Sequence, residues 1–155
     1  MKILSLDQST KCTGYSIFDN DELLKYGTLE VNDNDELFYR MIEMTNQIKN
    51  LVELSKPDFV IFEDVQFQNN YKTFKILSQF QGMIIKLLFE LNINFEIIEG
   101  SRWKSFNNIK GKKREEQKIN TIKMVKYIYD IDVSEDIADA IGIGRWAISN
   151  VRLNK

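Results

Sequence analysis

The sequence predicts one α/β domain over residues 1–155, with five strands in a sheet and long amphipathic helices packed against it. Three observations predict this. Two short apolar runs, Lys2-Ile3-Leu4-Ser5-Leu6-Asp7 and Phe59-Val60-Ile61-Phe62-Glu63, end in carboxylates, as strands of an α/β sheet do where they reach a ligand crevice. Stretches with apolar residues at helical spacing follow the strands along the chain. A length of 155 residues with 43% hydrophobic content suits one core and leaves too little chain for a second.

Taken in order, Lys2 to Asp7 forms the first strand. Gly14-Tyr15-Ser16-Ile17-Phe18 forms the second and runs into a turn at Asp19-Asn20-Asp21, from which Leu23 to Val31 returns antiparallel. Leu37, Met41, Met44, Ile48, Leu51 and Val52 recur at helical spacing, which predicts a helix over 34–55 that stops before Pro57. Phe59 to Phe62 is apolar at every position, the pattern of a strand buried on both faces. A second helix is predicted from Tyr71 to Leu91 and a fifth strand from Phe95 to Ile98. Beyond them lie a loop at 107–112 and a helix over 113–129. Ser134, Ile137, Ala138, Ile141 and Ala147 mark a last helix.

Composition excludes much chemistry. The chain has no histidine, which removes imidazole bases, histidine zinc sites and triads that depend on imidazole. Cys12 is the only cysteine, so neither an internal disulfide nor a paired-cysteine zinc site can form. The N-terminus reaches Asp7 after too few apolar residues for a secretion signal, and no run approaches a membrane span, so a soluble, cytoplasmic protein is expected.

Acid and base work must then fall to carboxylates, lysines, tyrosines or metal-bound water. Asp7 and Glu63 close two strands, and if those strands are parallel neighbours their side chains lie together. Asp136 and Asp139 are three apart, so a helix places them on one face, and Ala138, Ala140 and Ile141 put that face near the core. Singly, an acid after a strand is more often a turn or capping residue, and Asp136 alone fits a first-turn acid facing the helix dipole. Together, crowded acids need a positive charge between them, and Mg²⁺ or Mn²⁺ with oxygen ligands supplies it. Two such ions roughly 4 Å apart suit phosphodiester hydrolysis, one activating water and the other stabilising the leaving oxygen.

The ordered motifs resemble the RuvC-type Holliday junction resolvases of the ribonuclease H-like, or retroviral integrase, superfamily. The resemblance runs through Leu6-Asp7 with Gly14-Tyr15, then Ile61-Phe62-Glu63, Asn70 and Leu77-Ser78-Gln79-Phe80-Gln81-Gly82. It continues through Trp103-Lys104 and a basic helix to Asp136-Ile137-Ala138-Asp139-Ala140-Ile141, similar to the family's D-x-A-D-A element. It implies a ribonuclease H-like mixed five-stranded sheet with helices on both faces, in a homodimer that nicks four-way DNA junctions symmetrically and leaves ligatable ends. Asp7, Glu63, Asp136 and Asp139 match the metal-binding carboxylates, and Lys104 matches a lysine near the scissile phosphate. A second basic position falls among Lys112, Lys113 and Arg114.

Two departures accompany the match. Gln8-Ser9 stands where the family usually has Pro-Gly after the first aspartate. Gln66 stands where the family has an aromatic that stacks on opened junction bases, with Phe67 one residue later.

Net charge is −2, which alone argues against a nucleic-acid binder, but Arg102 to Lys126 carries a net +7 against −9 elsewhere. A charge run is ordinarily a solvated helix face. Set against an acidic remainder, this one favours DNA contact through Arg102, Lys110, Lys112, Lys113 and Arg114, with Lys118, Lys123 and Lys126 read as ordinary surface. Gln66, Phe67, Tyr71 and Lys72 mix aromatics with polar groups just after Glu63, a composition suited to stacking on an unpaired base. The apolar stripe of the second helix looks too wide for one sheet face, so Leu77, Phe80, Met83, Ile84 and Leu87 are the expected dimer contacts. A ribonuclease H for RNA/DNA hybrids, a strand transferase and a non-catalytic junction binder remain open at this point. An actin-like kinase fold would need more chain.

Overall fold

Side-chain alternation along the central strands decides the architecture. The computed structural model describes residues 1–152. Five strands, β1 (Lys2–Asp7), β2 (Cys12–Asp19), β3 (Glu22–Glu30), β4 (Phe59–Glu63) and β5 (Asn94–Ile98), form one sheet in the order β3-β2-β1-β4-β5. β1 pairs antiparallel with β2 and parallel with β4, so the sheet is mixed.

Leu4 and Leu6 of β1, Tyr15 and Ile17 of β2, and Val60 and Phe62 of β4 face α1 (Leu37–Ser55) and α2 (Tyr71–Glu90). The alternate residues Ile3, Phe18, Ile61 and Ile98 face the other way, toward α3 (Gly100–Phe106), α4 (Arg114–Tyr129) and α5 (Glu135–Asn150). Period-two alternation thus builds two cores, and helices cover both faces as the resemblance implies.

α5 lies across β1, β2 and β4 and is tied to them by a polar contact inside the core. The hydroxyls of Ser5 and Ser16 lie within hydrogen-bond reach of each other and of the Ala140 carbonyl, at 2.7 and 3.2 Å, so one proton bonds the pair and the other goes to the carbonyl. Both serines are fully buried, so each needs a partner, and sharing a helix carbonyl satisfies both while fixing the position of α5 on the sheet. Asn107 does the same for α3. Its side-chain amide donates to the Trp103 and Gly142 carbonyls and its oxygen accepts from Arg145 Nε.

The structure departs from the sequence expectation in four places. β2 begins at Cys12, two residues before Gly14, and α1 begins at Leu37 because Asn32–Asp35 closes a turn first. α3 was not anticipated, since seven residues are too few to display a helical period. The α2 stripe needs no second molecule to bury it. Phe80 and Ile84 are 0% exposed and Leu87 6%, all within the α1/α2 core, and Leu77 and Met83 are partly buried. The expectation that Phe80, Ile84 and Leu87 are dimer contacts is therefore corrected, because the sheet and α1 together cover them. Among the described residues, no helix is long and apolar enough to cross a membrane.

Candidate active site

β1 and β4 run side by side with Leu6 opposite Phe62, so the next residues, Asp7 and Glu63, emerge together from neighbouring parallel strands. Both belong to the face that α5 covers. Ser134 caps α5 by accepting from the Ile137 amide, and the first turn carries Glu135 and Asp136, where negative charge complements the helix dipole. Asp139 follows one turn later. The start of α5 rests directly on β2. A Cβ at Gly14 would stand 2.0 Å from the Asp136 carbonyl oxygen, and Gly14 pairs with Asp7 in the sheet. Only glycine admits that approach, which brings Asp136 beside Asp7.

The four carboxylates line one cleft of about 760 Å³, rimmed by Lys104 from α3, Lys112, and Arg114 and Lys118 from α4. Their mutual field acts on Asp7 and Asp139. Burial first, then the charges of Asp139, Glu63 and Asp136, push the Asp7 carboxyl well above the ordinary carboxylate range. Burial and Glu63 push Asp139 up to about 7, against an opposing contribution from Lys104. The field reaches β2, where burial and Asp136 push the Cys12 thiol up to about 12, too high for a working nucleophile.

Such a site binds protons more tightly folded than unfolded, so its ionisation destabilises the fold as pH rises from about 4 through 7. Asp139→Asn is expected to be more stable than the parent at pH 8 in chelator, by up to about 4 kcal/mol before solvent screening. The difference should vanish near pH 4. Equal melting at pH 8 would show that the cluster is not strained.

The donor set suits a hard divalent cation, being all oxygen and strongly negative. Among the described residues, however, no three acidic groups are gathered closely enough to enclose an ion as the side chains stand. At Glu63, Oε2 accepts from Trp103 Nε1 over 2.6 Å.

The other expected residues divide. Gln66, Lys112 and Arg114 line the cleft, and Arg114 donates to Gln68 over 3.1 Å, linking α4 to the loop after β4. Phe67 is 61% exposed with its ring edge-on to Phe74, and Tyr71 and Lys72 are exposed at the start of α2. Lys113 precedes α4 and lies outside the cleft, as does Lys110. Arg102 also lies outside it, stacked over Trp146 at 4.8 Å and 3.6 Å from Glu96. Lys118, expected from the sequence to be ordinary surface, lines the cleft and pairs with Glu135 at 2.9 Å. Its spacing of four from Arg114 was the available signal.

The family model for the crossover junction endodeoxyribonuclease RuvC matches residues 3–147. The chain belongs to the RuvC family. Among RuvC proteins, that of Campylobacter concisus is 30% identical, covering 99% of this chain and 100% of the relative. That of Dictyoglomus thermophilum is 28% identical over 92% of this chain and 93% of the relative. In fold the chain is similar to the T. thermophilus RuvC solved with a Holliday junction substrate, with TM-score 0.78, 14% identity and coverage of 94% and 92%. The yeast mitochondrial Holliday junction resolvase gives TM-score 0.67 at 16% identity, covering 94% of this chain and 77% of that one. The family and these relatives are named as endodeoxyribonucleases, in keeping with the carboxylate cleft described above.

Proposed function

We propose that this chain is a structure-selective endonuclease that resolves four-way DNA junctions by paired hydrolysis of two phosphodiesters, as a homodimer loaded with Mg²⁺ or Mn²⁺. The observation that carries this reading is the set of four carboxylates from β1, β4 and α5 at the base of a cleft with a basic rim. Asp7, Glu63, Asp136 and Asp139 are the residues that would hold the cations, two per site. Bound there, the cations supply positive charge to the attacking water, the leaving oxygen and the phosphate between them. Lys104 adds charge at the scissile phosphate, while Lys112, Arg114 and Lys118 hold flanking phosphates. Phe67 offers an exposed ring for a base unstacked at the branch point, with Tyr71, Lys72 and Gln66 beside it in sequence.

The test is cleavage of a mobile four-way junction beside a matched linear duplex and an RNA/DNA hybrid, with each metal. Paired nicks at the crossover are expected, and junction binding should exceed duplex binding even in chelator, because one duplex satisfies only part of the basic surface. Phe67→Ala should lower junction cleavage without altering metal dependence. Cleavage of the hybrid alone would replace this reading with a ribonuclease H.

Dimerisation is supported by Gly82, which lies on the exposed face of α2, where an added Cβ would meet nothing in the chain. A mid-helix glycine costs roughly 1 kcal/mol relative to alanine. A second helix approaching closely at that point gives the cost a purpose. Gly82→Ala is expected to raise the melting temperature at low protein concentration yet weaken association in light scattering. A stable monomer in the parent that still makes paired nicks would overturn the dimer.

A further inference from the structure

We propose that Trp103 is a positioning residue for the cleavage site, its indole N–H holding one oxygen of Glu63 so that the other serves the cation. The proposal rests on the nuclease reading above and extends it to a residue with no charge of its own. A buried tryptophan needs an acceptor for its N–H. Here the acceptor is Glu63 Oε2 at 2.6 Å, while the Trp103 side chain is 0% exposed. The packing around the pair admits little movement. A Cβ at Gly100 would press on Glu63 Oε1 at 2.9 Å, and one at Gly142 would press on the Trp103 ring at 2.6 Å.

A carboxylate at the end of a strand otherwise swings about its side-chain torsions, and repulsion from Asp7 and Asp139 would turn it away from the cleft. The indole fixes Oε2 and leaves Oε1 as the oxygen available to a cation. The next residue, Lys104, lies with its ammonium 5.4 Å from the Trp103 ring centre and acts on Asp139. The short helix α3 therefore sets both the orientation of Glu63 and the placement of the lysine, and Asn107 locks that helix to α5.

The chain has two tryptophans, so Trp146→Phe leaves Trp103 as the only one. In that dimer, the Trp103 fluorescence should respond to Mg²⁺ and be quenched by Mn²⁺, and Glu63→Gln should abolish the Mg²⁺ response. Incorporating benzothienylalanine in place of tryptophan in the same background removes the N–H and keeps the ring shape. The Mg²⁺ concentration for half-maximal single-turnover cleavage is expected to rise about tenfold, or the saturated rate to fall 10- to 100-fold, as when a partner that orients a metal ligand is lost. Junction affinity in chelator and the melting temperature should stay as in the parent. Gly100→Ala, which disturbs the same carboxylate and leaves the indole in place, should reproduce the shift in metal dependence.

Unchanged metal dependence in the isostere, with or without a lower melting temperature, would make Trp103 a core residue only and overturn the proposal. Failure of the parent to cut any junction with either metal would overturn the nuclease reading instead. In that case a fluorescence signal indifferent to both metals would overturn the Trp103 assignment separately.

Discussion

Asp7→Asn is expected to reduce junction cleavage on the order of a thousandfold or more while leaving junction binding intact or tighter. Burial and all three neighbouring carboxylates act on Asp7. On the proposed reading, removing its charge removes a cation ligand, and with it several kcal/mol of charge stabilisation in the transition state. Binding moves the other way, because a neutral amide no longer repels the phosphate that enters the cleft. Glu63→Gln, Asp136→Asn and Asp139→Asn should behave alike. The measurement is single-turnover cleavage beside gel-shift affinity in chelator, with melting temperature as the check on folding. Near-normal turnover in any one variant would remove that residue from the site.

Lys104→Ala should cost about a hundredfold in cleavage, on the order of 3 kcal/mol, with a much smaller loss of binding. The lysine lies in the last turn of α3, lines the cleft and opposes the field that raises Asp139. On the proposed reading, an ammonium so placed meets charge that develops on the phosphate only as the bond breaks, so its removal should lower the saturated rate and not the affinity. Lys112, Arg114 and Lys118 lie on the rim, and loss of any of them should instead flatten the dependence of affinity on salt. A Lys104→Ala defect confined to binding and relieved at low salt would move Lys104 to that second group.

The parts of the site that were legible in the sequence are those where local chemistry and topology coincide. An apolar run ending in an acid signals a strand edge at a crevice, and Asp7 and Glu63 stand there side by side. The pair Asp136 and Asp139 shares a helix face by spacing alone. What stayed hidden depends on which way a side chain points. Arg102 and Lys110 belong to the same basic run as Arg114, yet linear charge density does not say that Arg102 turns onto Trp146. The α2 stripe has the width of a helix buried on two sides, and nothing in its own residues says that the second side is α1 of the same chain. The bond from Trp103 to Glu63 joins residues forty apart, a relation that no local pattern carries.

The two core serines have a consequence for how the protein fails. Ser5 and Ser16 lie on the inner strands β1 and β2 and hold the Ala140 carbonyl, the residue directly after Asp139. The geometry of the candidate site is thus anchored on the central strand β1 and its neighbour β2, inside the edge strands β3 and β5, where amides are expected to exchange only when the whole domain opens. Local loosening of an edge strand or of the loop after β4 leaves that anchor in place. Heat inactivation should accordingly coincide with global unfolding, without an earlier phase in which a folded protein has lost its site.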